Sequence, residues 1–224
     1  MKKVVLALVG VFLMVLAGFA QADTFQAGGT FTSPIYVTVN GSNSTEGGGS
    51  LDVSYLNGEA LDYVYCLDLF TTIYVPNIYN NTVVNHSGII YGNPVNNADE
   101  VAWLLGHYGT AGQGDTSLAL QAAIWKVVGD GVYTFDINRS LSTPNQINLY
   151  DSYLTALTGN SGDVNKFYWI TPGKYDSNGR LIQYQGLVAP SPVPGPPAIL
   201  CLASGLLGLW TVRRRSEKLF PNQK

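Results

Sequence analysis

The chain has 224 residues, 46% of them hydrophobic and only 12% charged, about half the charged share of an ordinary soluble protein. Its length allows one sizeable core, or at most two small ones. Between Asp23 and Pro196 five basic residues stand against fourteen acids, so this central part carries −9 within an overall −3, a field that disfavours nucleic acid and anionic lipid as its partners.

Lys2 and Lys3, the apolar run Val4 to Phe19 and the small-x-small ending Ala20-Gln21-Ala22 read as a secretory signal peptide over residues 1–22. The mature chain then begins near Asp23, outside the cytoplasm. From Thr24 to about Val84 the pattern is β. Phe31, Ile35, Tyr36, Val37 and Val39 mark a strand region that ends at Asn40-Gly41. Ser42 to Ser50, with Gly47-Gly48-Gly49, reads as a mobile loop. Leu51 to Tyr55 alternates like a strand, and Asn57-Gly58 is a hairpin signal. Leu61 to Tyr74 is the most β-prone run. Period-2 alternation sets Tyr63, Tyr65, Leu67 and Leu69 on one face and Asp62, Val64, Cys66, Asp68 and Phe70 on the other.

The middle of the chain is helical. Asn97-Ala98-Asp99-Glu100 offers a cap ahead of Val101, Leu104, Leu105 and Tyr108, with Gly106 and Gly109 at the end. Asp115 or Thr116 caps a second helix that runs to about Val128. A third starts at Thr143 with Pro144 in its first turn and continues to Gly159. Two closing strands, Lys166 to Ile170 and Arg180 to Tyr184, are joined by the Asp176-Ser177-Asn178-Gly179 turn. Strands, then helices, then strands indicate one α+β domain over residues 23–188: a β-barrel or sandwich carrying a helical insertion of about three helices.

On the second helix Leu118, Gln121, Ala122 and Trp125 share one face, while Leu120, Ile124 and Val127 cover the opposite side. A helix this apolar is buried on most of its circumference. A buried Gln121 carboxamide without partners costs on the order of 1–3 kcal/mol, so it needs hydrogen-bond partners or a chemical role. Cys66 raises a parallel question. Cys201, the second cysteine, lies in a C-terminal apolar segment beyond a proline-rich linker and is poorly placed for a disulfide. Cys66 is thus an odd thiol in an oxidising compartment, or simply a small buried residue.

Tyr65-Cys66-Leu67-Asp68 followed by Leu120-Gln121-Ala122-Ala123-Ile124-Trp125 resembles the bacterial surface thioester domains. In that family the cysteine sulfur and the glutamine side-chain carbonyl join in an internal thioester, with Cys on the β part and Gln on a helix. The resemblance implies a Cys66–Gln121 crosslink that acts as a single-use chemical hook and not as a turnover enzyme. A partner's amine or hydroxyl, on a surface protein or polysaccharide, would be its target. Asp68 is the candidate for proton transfer or positioning, and equally a backbone-bonded strand-end acid. Tyr65 and Trp125 would shield the bond from water.

Two other readings stay open: a non-covalent surface or matrix structural protein with a free Cys66, and a Cys-dependent hydrolase using His86 or His107. His107, near a helix C-terminus, is most simply a dipole or capping contact. No metal-ligand spacing, phosphate loop or Ser-His-Asp order stands out, so no cofactor is expected.

Residues 189–197, Ala189 to Pro197, form a proline-rich linker. Ala198 to Val212 is an apolar run of 15 residues, roughly 22 Å as a helix and short of a ~30 Å hydrocarbon core. Arg213, Arg214 and Arg215 would hold its end cytoplasmic. This tripartite tail, residues 189–224 with its apolar and basic part at 198–224, resembles the PEP-CTERM sorting signal, with Val193, Pro194, Gly195 and Pro196 at the signature position. Gly195 stands where that family usually has Glu. The resemblance implies an exosortase-type processing enzyme, a membrane contact through the tail, and delivery to the outer surface or extracellular matrix of a Gram-negative bacterium.

Overall fold

The computed structural model describes residues 22–192. Nine strands come first: β1 (Asp23–Ala27), β2 (Pro34–Val39), β3 (Ser42–Gly47), β4 (Ser54–Leu56), β5 (Glu59–Leu61), β6 (Tyr65–Cys66), β7 (Asn77–Asn85), β8 (Ile89–Ile90) and β9 (Asn93–Pro94). Helices α1 (Ala98–Tyr108) and α2 (Asp115–Gly129) follow, and β10 (Phe135–Ile137) separates them from α3 (Pro144–Leu157). The chain then returns to β11 (Phe167–Thr171), β12 (Gly173–Tyr175), β13 (Leu181–Gln183) and β14 (Leu187–Pro190).

The architecture is mixed α/β, a curled antiparallel sheet with three helices among the described residues. The main sheet runs β5-β4-β1-β7-β11-β14-β6, and β10-β2-β3 form a second. β7 is the spine: Phe25 of β1 faces Tyr79, and Trp169 of β11 faces Asn85. Phe25, Tyr65, Tyr79, Trp125 and Trp169 are buried together in one core. That core packs α2 against α1, α3, β2, β6 and β10. Burial of Leu118, Leu120 and Ile124 contributes roughly 1.5–3 kcal/mol each.

Several local signals act as expected. Asn40-Gly41 (φ 49° and 78°) closes the β2–β3 hairpin and Asn57-Gly58 (φ 53° and 85°) the β4–β5 hairpin, the doubly positive φ of a type I′ turn. Thr143 caps α3 in a reciprocal box with Gln146, with Pro144 in the first turn. Ser117 through Trp125 are all buried, as an all-round apolar helix requires.

Elsewhere tertiary contacts override the local pattern. Ser42–Gly47 is no mobile loop: it pairs with β2 along its whole length, from Val39↔Ser42 to Pro34↔Gly47. The glycines after it are packed, since a Cβ on Gly48 would lie 2.0 Å from Ile35 Cδ1. The run Leu61 to Tyr74 is not one strand. Only the end of β5 and the two residues of β6 pair, and Val64, Tyr65, Cys66 and Leu67 are consecutively buried. Both faces of that segment meet protein, so alternation fails there; Asp62 is exposed. Asn97 and Asp115 do not cap their helices. The Asn97 amide donates to Val127 O on α2, and the Asp115 carboxylate accepts from Asn145 on α3. Both side chains tie helices together instead.

The end of the domain also differs. The Asp176–Gly179 turn joins β12 to β13, while β11 pairs with β14 and β7. β14 carries Ala189, fully buried, and Pro190, so the folded unit extends past residue 188, and the first two residues of the expected linker are strand. The expected signal peptide up to Gln21, the rest of the expected linker from Val193 and the C-terminal apolar run with Cys201 lie outside the described residues.

Candidate functional site

β6 is the last strand of the main sheet and pairs on one side only, Leu187↔Cys66 and Val188↔Tyr65. In an antiparallel ladder successive residues point their backbone groups to alternate sides. Leu67 N–H accordingly donates to Gly186 O at 2.8 Å, while the N–H and C=O of Cys66 face away from β14. Buried and unpaired, those two groups would be costly. Gln121 of α2 meets both: its Oε1 accepts from Cys66 N–H at 2.9 Å and its Nε2 donates to Cys66 O at 2.7 Å. The carboxamide stands in for a peptide group of a missing neighbouring strand. Cys66 is 1% exposed and Gln121 0%. The two motifs, 55 positions apart in sequence, therefore meet in the core.

The shell around this pair comes from α2 and the turn before it. Tyr65 is buried, its ring set edge-on to Tyr63, and its hydroxyl donates to Thr110 O at 2.7 Å. Ser117 Oγ accepts from Ser50 N–H at 2.8 Å, and Ser50 Oγ accepts from Val64 N–H at 3.1 Å. This chain of bonds ties the glycine segment, the start of α2 and the approach to β6. Trp125 lies one helical turn beyond Gln121 and is buried, and its indole N–H has no hydrogen-bond partner among the described residues.

Burial pushes the Cys66 thiol up to about 12, and the charge of Asp68 adds to the effect. At pH 7 such a group stays protonated. The Asp68 carboxylate itself is half-buried. It accepts from Phe70 N–H at 2.8 Å, from the Thr71 hydroxyl, and from the Tyr91 hydroxyl at 3.3 Å. Its backbone carbonyl accepts from the Gln185 amide. This is the turn geometry of a backbone-bonded acid, placed two residues from the thiol.

The histidines lie apart from this arrangement. His86 is exposed and packs on Tyr168 at 5.0 Å, while His107 is exposed on α1, stacked on Trp103 with Nδ1 2.9 Å from Trp103 O. Val193, Pro194, Gly195, Pro196, Arg213, Arg214 and Arg215 lie outside the described residues. Sequence reasoning overlooked Ser117, Leu187, Tyr91 and Gln185, whose relevance comes from strand pairing and long-range bonds. Only Ser117 had a local signal, as the first residue of the buried helical stretch.

Beside Asp68 a cleft of about 330 Å³ opens between the β6–β7 connection and the segment after α2, lined among others by Leu67, Phe70, Tyr91, Val132 and Tyr133. Comparison with known proteins adds no relative: no protein-family model, curated protein or solved structure matches this chain.

Proposed function

We propose that the chain is an exported cell-surface protein whose domain is of the barrel-with-helices thioester type, carrying a Cys66–Gln121 thioester used once as a covalent adhesin or matrix anchor. The observation that supports this reading is the two-point hydrogen bonding of the Gln121 carboxamide to the backbone of Cys66. It holds the carbonyl carbon beside the residue that carries the sulfur. Cys66 N–H also polarises that carbonyl from the side where negative charge develops when sulfur attacks. Sγ bonds to Cδ of Gln121, the Cδ–Nε2 bond breaks, and Nε2 leaves as ammonia, taking up the thiol proton. A partner's amine then attacks Cδ and Sγ departs as the leaving group. The amine's proton returns to sulfur and an amide remains. A hydroxyl gives an ester by the same route. Residues 1–22 and the tail from Ala198, read as export and sorting signals, put this chemistry at the outer surface or in the extracellular matrix.

A second reading has its own support. The same two hydrogen bonds satisfy Gln121 without any chemistry, and the thiol is held protonated. The protein is then a non-covalent surface or matrix structural module in which Gln121 closes the open side of β6. Intact mass separates the two. The first predicts a deficit of about 17 Da, one ammonia, absent from the Cys66→Ala variant, and an adduct of methylamine. A mass without that deficit, with Cys66 open to alkylation after unfolding, rejects the thioester.

A further inference from the structure

The cleft beside Asp68 is not used by the Cys66–Gln121 chemistry. Its volume, about 330 Å³, lies at the lower end of the range of small-ligand pockets and suits a single long side chain. Its walls are mainly aliphatic and aromatic, with Asn93 and Asn96 among them, and Asp68 carries the only charge among its lining residues. Phe70 and Val132 stand at the rim, 67% and 71% exposed. Phe70 and Tyr133 meet edge to face with centroids 5.1 Å apart. Tyr91, held at a positive φ of 56°, shares its one hydroxyl proton between Tyr184 O at 2.8 Å and the Asp68 carboxylate at 3.3 Å. The Tyr133 hydroxyl donates to Trp125 O at 3.3 Å, and after burial the Asp68 charge is the next cause raising Tyr91 and Tyr133, the latter to about 12.

We propose that this cleft takes the side chain of a lysine presented by a partner polypeptide, its methylenes against Leu67, Phe70 and Val132 and its ammonium at Asp68 beneath the rings of Tyr91 and Tyr133. Charge complementarity selects the occupant. A lone carboxylate in an aromatic frame attracts a cation both directly and through the ring faces, and the surrounding domain carries −9. Lysine fits better than arginine. Both Asp68 oxygens already accept lateral bonds from Phe70, Thr71 and Tyr91, which leaves room for a compact point charge and not for a two-pronged guanidinium. Binding requires no crosslink.

The test uses the full-length chain with Cys66→Ala, so that covalent capture is impossible whatever the state of the thioester. The probes are Nα-acetyl-lysine N-methylamide and its norleucine counterpart, titrated against backbone amide resonances. The lysine probe is expected to shift Leu67–Phe70 and Val132–Tyr133 saturably, and the norleucine probe to bind at least about tenfold more weakly, the value of one charge-assisted bond. Asp68→Asn removes the charge. Val132→Lys, at an exposed rim position outside the hydrogen-bond network, supplies an internal competitor, and both abolish the preference for lysine. Equal binding of the two probes, no binding of the lysine probe, or a preference that survives Val132→Lys overturns the proposal.

Discussion

Replacing Gln121 by methionine in a Cys66→Ala background isolates the hydrogen-bonding role of the carboxamide from any crosslink. Methionine has nearly the same length and is well accommodated in cores, so packing of α2 against β6 is kept. What disappears is the acceptor for Cys66 N–H and the donor to Cys66 O, at a position 0% exposed where water cannot replace them. Two buried backbone groups left unpaired cost about 1–3 kcal/mol each, or about 2–6 kcal/mol together. That is a large part of the about 5–15 kcal/mol that holds a typical domain folded. Trp125 and Trp169, both buried, report unfolding by fluorescence in urea. With a slope of about 1–3 kcal/mol/M, the midpoint falls by roughly 0.7 M or more. Gln121→Glu keeps an acceptor, loses the donor and buries a charge, and is expected to be at least as damaging. A loss below about 1 kcal/mol for Gln121→Met at unchanged slope refutes the idea that Gln121 closes the open side of β6.

Two more predictions concern stability. The folded protein holds the Cys66 proton up to about 12 against an ordinary 9.0. The unfolded chain releases that proton first, so this contribution is intact below about pH 9 and is lost as pH rises towards 12. Tyr63 and Tyr133, raised from 10.0 to about 12 by burial, act in the same direction. The alkaline fall in Tm is therefore shallower, though not abolished, in Cys66→Ala; equal slopes in the two proteins mean that no titrating thiol is present, as in a chain that already bears the thioester. Gly49→Ala forces a Cβ to 2.7 Å from Ser117 Oγ at φ +80°, whereas Gly131→Ala at φ +72° meets open space. Left-handed strain costs about 1–3 kcal/mol at either site, and only Gly49→Ala adds a clash at the start of α2. Its Tm is expected to fall by at least about 2 °C more than that of Gly131→Ala, and an equal fall speaks against the packing of the glycine segment on α2.

The sequence by itself determined the features whose energetics are local. A type I′ turn needs two positive φ angles within two residues, so Asn40-Gly41 and Asn57-Gly58 announce their hairpins. The capping box of α3 closes within Thr143 to Gln146, and the apolar circumference of α2 follows from nine consecutive side chains, Ser117 to Trp125. The order of strands, helices and strands was legible for the same reason. Only the tertiary structure decided the rest. β7 lies in the stretch read as β, but its place as the spine of the sheet, between β1 and β11, is set by its neighbours. β6 is two residues long, and β14 takes in Ala189 and Pro190, which composition marks as the start of the linker. The polar segment Ser42–Gly47 becomes β3 because β2 offers it a full set of partners. Gln121 shows the difference most directly. That a buried carboxamide needs partners could be read from one helix. That those partners are the two backbone groups of Cys66 turned away from β14 depends on strand pairing set by Leu187, 66 positions beyond Gln121, which no local pattern encodes.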